Sequence, residues 1–158
     1  MAREIERKFL VDHDRLGPLE NGVAIRQGFV QTTDFTVVRV RIAGERAWLT
    51  LKGRNKGAAR SEFEYPIPLG DAEQILDEFC SGHVVAKTRY LRQYGDHTWE
   101  IDVFEGDNAG LVVAEVELKN EQEAFRRPDW VGREVTYDER YYNVNLLSHP
   151  FSRWHENR

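Results

Sequence analysis

The sequence predicts a β-rich α+β fold built on antiparallel strands with helices at the edges. Apolar and polar residues alternate with period two over most of the chain, the pieces between them are short, and one segment has helical spacing. Strands are expected at about 2–11, 23–31, 36–43, 46–53, 60–68, 84–94, 97–105 and 111–119. Connectors as short as Ala43-Gly44-Glu45 and Gly95-Asp96-His97 imply antiparallel hairpins, because parallel neighbours need a long crossover. The best helix candidate is Asp71 to Cys80, with Ala72, Ile75, Leu76 and Phe79 on one face and Asp71 as the expected N-cap. Shorter helical pieces are expected near Glu121–Arg126 and Glu139–Leu147.

The 158 residues fit one domain, 1–158, since there is no linker, repeat or low-complexity block. Hydrophobic residues make up 41% and charged residues 31%, which suits a packed globular chain rather than a disordered one. Acidic residues outnumber basic ones 27 to 22, giving a net charge of -5, so nucleic acid is not expected as a partner. Apolar runs stay far below the roughly 20 residues of a membrane span. The mixed-charge start, without a basic-then-apolar leader, and the single cysteine, Cys80, point to the reducing cytoplasm.

Along a strand, residues two apart share a face and lie roughly 6.6 Å from each other. Here the polar face consists of ionisable pairs rather than Ser, Thr and Gln. The pairs are Glu4, Glu6 and Lys8, then Arg39 and Arg41, Glu62 and Glu64, Lys87 and Arg89, Glu100 and Asp102, and Glu115 and Glu117. Lys52 ends a further strand and joins the same face. Any one pair reads as a solvated surface. Six together, with like charges on neighbouring strands, imply that opposite signs meet across a shared space. A closed eight-stranded barrel supplies that space, because inward residues of every strand converge on one polar lumen. The outward apolar residues then need covering by helices or by a second copy of the chain, which leaves a homodimer open.

Six cations in one lumen (Lys8, Arg39, Arg41, Lys52, Lys87 and Arg89) call for a polyanion, and Arg forks suit phosphate oxygens. The carboxylates would repel that anion unless a hard divalent cation lay between, so Mg²⁺ or Mn²⁺ with a string of phosphates fits the pattern. No inward aromatic or amide cluster is evident that would hold a base.

Glu4-Ile5-Glu6-Arg7-Lys8 resembles the ExExK signature of the CYTH proteins, the triphosphate tunnel metalloenzymes. The resemblance runs on through Arg39-Val40-Arg41, Leu51-Lys52, Glu62-Phe63-Glu64, Lys87-Thr88-Arg89-Tyr90, Glu100-Ile101-Asp102, Glu115-Val116-Glu117 and Glu134-Val135-Thr136 to Arg140-Tyr141. It implies an eight-stranded antiparallel tunnel holding a divalent metal and a triphosphate. Glu4, Glu6, Glu115 and Glu117 are the implied metal ligands, with Glu62, Glu64 and Asp102 as further candidates. Lys8, Arg39, Arg41, Lys52, Lys87 and Arg89 are the implied phosphate contacts; Arg140 joins them if the C-terminal element folds over one entrance. Catalysis would fall to Glu4, Glu6, Lys8, Lys87 and Arg89. One position departs from the pattern: Phe29 follows Arg26-Gln27-Gly28 where the small branch usually has Tyr.

The expected activity is metal-dependent hydrolysis of inorganic triphosphate to pyrophosphate and phosphate. An adenylate cyclase, or a phosphatase acting on nucleoside or thiamine triphosphate, is the alternative within the family. A noncatalytic polyphosphate binder is the alternative of another class. The five histidines show no ligand spacing, and Cys80 reads as packing. Arg54, Lys56 and Arg60 flank a loop that could steer anions.

Overall fold

The computed structural model describes residues 3–54, 58–81 and 83–154. Residue 2 of the first expected strand, Lys56 and His155 lie outside the described residues. The strands are β1 (Arg3–Val11), β2 (Val23–Val30), β3 (Val37–Ala43), β4 (Arg46–Lys52), β5 (Ala59–Ile67), β6 (Val85–Tyr94), β7 (His97–Phe104), β8 (Val112–Glu117) and β9 (Val131–Glu134). The helices are α1 (His13–Leu16), α2 (Leu69–Glu78) and α3 (Asn145–Ser148). Among the described residues, no helix is long and apolar enough to cross a membrane.

All the pairings are antiparallel, in the order β5-β4-β3-β2-β6-β7-β8-β1-β9. Strand β1 closes the ring. One of its edges binds β8 from Glu6 to Leu10; the other is divided, Arg3–Ile5 pairing with β5 and Phe9–Val11 with β9. Eight strands thus form a closed barrel, as the charge pattern predicted, and β9 is an addition that the sequence reading missed. Its four residues include Gly132 and show no alternation.

Because charged residues take the inner face, the apolar cores form outside the barrel. Helix α2 covers β2, β3 and β4 through Val40, Ile42, Ala47, Ala72, Leu76 and Cys80. Gly28 makes the close fit possible, since a Cβ there would stand 2.6 Å from the Leu76 side chain. A second core gathers Phe9, Trp99, Ile101, Ala114, Val116 and Trp130, with Phe125 edge-on to Phe9 and Trp99. The third packs Tyr141, Leu146 and Trp154 of the C-terminal segment against Val85, Phe104 and Val113. Leu51, Phe63 and Tyr65, on the outer face of β4 and β5, stay exposed.

The helices differ from expectation. Helix α2 starts two residues before Asp71 and has Pro68, not Asp71, at its N-cap, where a fixed φ of -60° leads into the first turn without a side-chain cap. The expected helix at Glu121–Arg126 does not form. Asn120 and Glu123 take the backbone N–H groups of Gln122 and Lys119, and Pro128 disfavours helical geometry just before it. The expected helix at Glu139–Leu147 is split into a 3₁₀ turn at Glu139–Tyr141 and α3.

Strand β9 is fastened by Glu134, whose carboxylate accepts Nε of Arg7 at 2.8 Å, Nη2 of Arg7 at 2.5 Å and the Thr136 hydroxyl at 2.6 Å. The Arg7 hydrogen bond leads in holding the Glu134 carboxyl below its usual range. A group shifted down contributes fully above its unfolded pKa and loses the contribution as pH falls through its folded one. Glu134→Gln should therefore cost about 1 kcal/mol, roughly 2–4 °C in Tm, at neutral pH. In thermal melts the gap to the parent protein should close towards about pH 3; a pH-independent gap would refute this account.

Candidate active site

The barrel encloses a cavity of about 930 Å³. Its lining includes Glu4, Glu6 and Lys8 of β1, Arg39 and Arg41 of β3, and Lys52 of β4. Glu62 and Glu64 of β5, Lys87 and Arg89 of β6, Glu100 of β7, and Glu115 and Glu117 of β8 complete the set. Strand alternation delivers all of these side chains, because each pair is separated by one residue that faces the outer layers.

Two expected site residues are placed elsewhere. Asp102 does not line the cavity; it lies behind Lys87 and Arg89, 2% exposed. Arg140 is also absent from the lining, and its guanidinium bonds Asp138 at 2.7–3.3 Å and lies over the rings of Tyr141 and Trp154. The C-terminal element does reach the cavity, but through Tyr142 and Asn143 instead.

The charges are sorted. Strands β8, β1 and β5 are consecutive around the barrel and contribute Glu4, Glu6, Glu62, Glu64, Glu115 and Glu117. On the opposite arc, β3 and β6, on either side of β2, contribute Arg39, Arg41, Lys87 and Arg89, with Glu100 of β7 lying 3.3 Å from Arg89. Ion pairs tie the two sides together. Arg39 lies 3.3 Å from Glu64 across the divide and Lys52 Nζ of the intervening β4 lies 2.9 Å from Glu4 and 3.6 Å from Glu62, while Lys8 lies 3.8 Å from Glu115 within the acidic arc. Thr50, fully buried, donates to Glu64 at 2.7 Å and was not singled out by sequence.

On the acidic arc, burial and the charges of Glu115 and Glu4 raise the Glu6 carboxyl well above its usual range, and Glu6 shares a hydrogen bond with Glu115. Burial and Glu4 also raise Glu62 and Glu117. Burial would raise Glu115 too, but Lys8 and the Glu6 hydrogen bond hold it below its usual range. Among the described residues, no three carboxylates are already gathered closely enough to grip a metal.

The basic arc carries unsatisfied donors. Arg39 is 6% exposed, and its Nε has no hydrogen-bond partner among the described residues. Arg41 makes no ion pair among the described residues; its Nε donates to Gln27 at 2.9 Å. Burial, helped by Arg39 and Arg89, pulls its guanidinium down to about 9. Lys87, 1% exposed, pairs with Asp102 at 2.7 Å, and burial against that partner's pull brings its ammonium down to about 7. Burial alone would raise Asp102, yet Lys87 and Arg89 hold its carboxyl well below the usual range.

Sequence reasoning missed Gln27, Asn143 and the aromatic lining of Phe35 and Tyr142, while Phe29, noted as a departure from the family pattern, also lines the cavity. The expectation of a lumen without aromatic or amide groups is therefore corrected. Gln27 carried a readable signal, a polar residue between Ile25 and Phe29 on one strand face. His97 bonds Glu123 at 2.6 Å beside Phe125, on the outer side of the barrel. Cys80 packs with α2, and Arg54 stacks 4.6 Å from the Phe35 ring at the cavity rim.

Removing one member of a buried ion pair strands the other. Asp102→Asn should destabilise the fold by about 3–5 kcal/mol in urea denaturation. Adding Lys87→Met should recover part of the loss, because the orphaned ammonium is gone. Strict additivity of the two changes would show that the pair is not coupled.

A family model described as the CYTH domain matches residues 2–146. An inorganic triphosphatase of Acetivibrio thermocellus is 46% identical over 156 residues, 99% of this chain and 100% of that protein. One from Nitrosomonas europaea is 41% identical over 152 residues, 93% of this chain and 99% of that protein. A solved structure of an inorganic triphosphatase superposes with a TM-score of 0.64 at 38% identity, covering 90% of this chain and 96% of the other. A protein from Pyrococcus horikoshii, at 21% identity and a TM-score of 0.58 over 75% of this chain and 79% of that one, shares the fold. The signature at Glu4–Lys8 and the charged strands that follow it thus sit inside a match spanning nearly the whole sequence, and the chain belongs to the CYTH family.

Proposed function

We propose that this chain hydrolyses inorganic triphosphate to pyrophosphate and phosphate within the charged lumen, with the help of a divalent cation. The observation that carries the reading is the sorting of charge: buried Arg39 with its unpartnered Nε, and Arg41 without an ion pair among the described residues, face a crowded arc of carboxylates across one cavity. Two relatives named inorganic triphosphatase, at 46% and 41% identity, support it.

The acidic arc suits a divalent ion. Its donors are hard carboxylate oxygens, and the raised Glu6 and Glu117 mark a crowding of negative charge. Glu4, Glu6, Glu115 and Glu117 would hold the ion. Mg²⁺ or Mn²⁺, when bound, supplies charge neutralisation at phosphate oxygens and makes water more acidic.

The remaining steps belong to the side chains of the basic arc. Arg41 offers its terminal N–H groups and Arg39 its unpartnered Nε to phosphate oxygens. Lys87 and Arg89, oriented by Asp102, face the charge that develops on the transferred and leaving phosphates. Lys8 and Lys52 reach the lumen from the acidic side, where each now balances a glutamate. Glu62 and Glu64 hold Lys52 and Arg39 in place.

Phosphate release from triphosphate, ATP, GTP, thiamine triphosphate and pyrophosphate, with Mg²⁺ and Mn²⁺ in turn, tests the reading. Inorganic triphosphate should lead ATP in kcat/KM by about tenfold or more, a difference of about 1.4 kcal/mol. Turnover should vanish with chelator, return with Mg²⁺ or Mn²⁺, and be poorly supported by Ca²⁺. ATP matching triphosphate, or appearance of cyclic AMP, would transfer the protein to the nucleotide reading. Arg41→Ala should raise KM for triphosphate, while Glu117→Gln should raise the metal concentration needed for half-maximal rate.

A further inference from the structure

Asn143 lies on the C-terminal segment, between the 3₁₀ turn at Glu139–Tyr141 and α3, and lines the cavity. Its orientation follows from the chemistry of its neighbours. Arg41 Nε can only donate, so the Gln27 amide must turn its Oε1 towards it, at 2.9 Å. The Nε2 of Gln27 then points to Asn143 and donates to Oδ1 at 2.6 Å. Lys87 Nζ donates to the same Oδ1 at 2.9 Å. Both constraints place the oxygen of Asn143 towards the basic arc. Its Nδ2 is thereby turned away, and it has no hydrogen-bond partner among the described residues.

We infer that Asn143 is a substrate contact: Nδ2 donates to an oxygen of the phosphate held by Lys87 and Arg41, while Oδ1 keeps those two cations in register. This deepens the reading of the lumen as a triphosphate site and rests on it. A neutral amide suits the position. It adds a donor where Arg41 and Lys87 are already depressed by burial and neighbouring cations, without adding a further positive charge. The same segment also holds Lys8, since the carbonyl oxygen of Tyr141 accepts from Lys8 Nζ at 3.1 Å. Tyr141 and Leu146, 2% and 1% exposed, anchor the segment on either side. The chain beyond β9 thus supplies part of the anion site and aligns cations from β1, β3 and β6.

Asn143→Asp separates the two roles, because it keeps an oxygen for Lys87 and Gln27 but replaces the donor by an acceptor that repels phosphate. Calorimetric titration of inorganic triphosphate in Ca²⁺, kinetics in Mg²⁺ and thermal melts would be run on the parent protein, on Asn143→Asp and on Asn143→Ala. The expected result for Asn143→Asp is at least tenfold weaker triphosphate binding and a matching rise in KM, with a Tm equal to or above that of the parent. Parent-like binding by Asn143→Asp overturns the inference while leaving the triphosphatase reading intact. If Asn143→Asp melts early, Asn143→Ala decides: binding within twofold of the parent overturns the inference, and loss of tenfold or more supports it. A parent protein that neither binds nor cleaves triphosphate overturns the triphosphatase reading, and the assignment of Asn143 with it.

Discussion

Asp102 carries two cations from a position almost sealed from water, with Lys87 Nζ at 2.7 Å and Arg89 Nε at 2.8 Å. Removing these charges from water is costly, and a hydrophobic replacement of similar volume would often be as stable or more so. Such a group has to be explained by what it does for its partners. Asp102 favours the charged forms of Lys87 and Arg89 against their burial and orients them, while both line the cavity. Both proposed anion contacts on β6 depend on this carboxylate, although it does not line the cavity. The carboxylate therefore acts through the cations, which accounts for its position behind them on β7.

A barrel filled with charge cannot draw its stability from its inside, and the outer layers show the consequence. Three apolar clusters clad the wall: α2 over β2–β4, the segment after β8 over β1, β7 and β8, and the C-terminal residues over the ends of β6, β7 and β8. The strands are effectively inside out. Burial of Phe9, Trp99 and Ile101 to zero exposure contributes hydrophobic stabilisation that offsets the desolvation of the lumen. The cladding also decides rigidity, because close packing outside leaves inward side chains little freedom to rearrange.

The barrel was legible because strand alternation is the simplest sequence signal, and here both faces were marked, one by charge and one by Val, Ile and aromatic residues. Every strand from β1 to β8 was anticipated to within two residues at each end. Its failures have local causes. Strand β9 is too short to alternate, and the segment at Glu121–Arg126 has helical composition, but its Gln122 N–H donates to Asn120 and its Glu123 carboxylate accepts from the Lys119 N–H and pairs with His97. In the cavity, charged residues on strands could be read from parity. Asp102 shares the parity of Glu100, yet is recessed by its partners, a distinction that depends on neighbouring strands. Asn143 had no signal at all, since a polar residue in an irregular segment gains meaning only when the fold brings it to Lys87.

The sorted lumen also constrains how ligands enter it. Arg39 pairs with Glu64 across the divide, and Lys52 and Lys8 pair with Glu4 and Glu115 on the acidic side. A polyanion arriving by itself would compete for these cations and leave carboxylates unpaired in a buried setting. A divalent cation arriving by itself would do the reverse, drawing glutamates away from lysines and arginines. The two together exchange both sets of partners at once and leave fewer buried charges uncompensated. On the proposed reading, metal and triphosphate binding are therefore coupled thermodynamically, each raising the affinity for the other by the same factor. Arg41 gives the exchange its starting point. As a cation with no carboxylate to release among the described residues, it meets the phosphate chain without a competing internal pair.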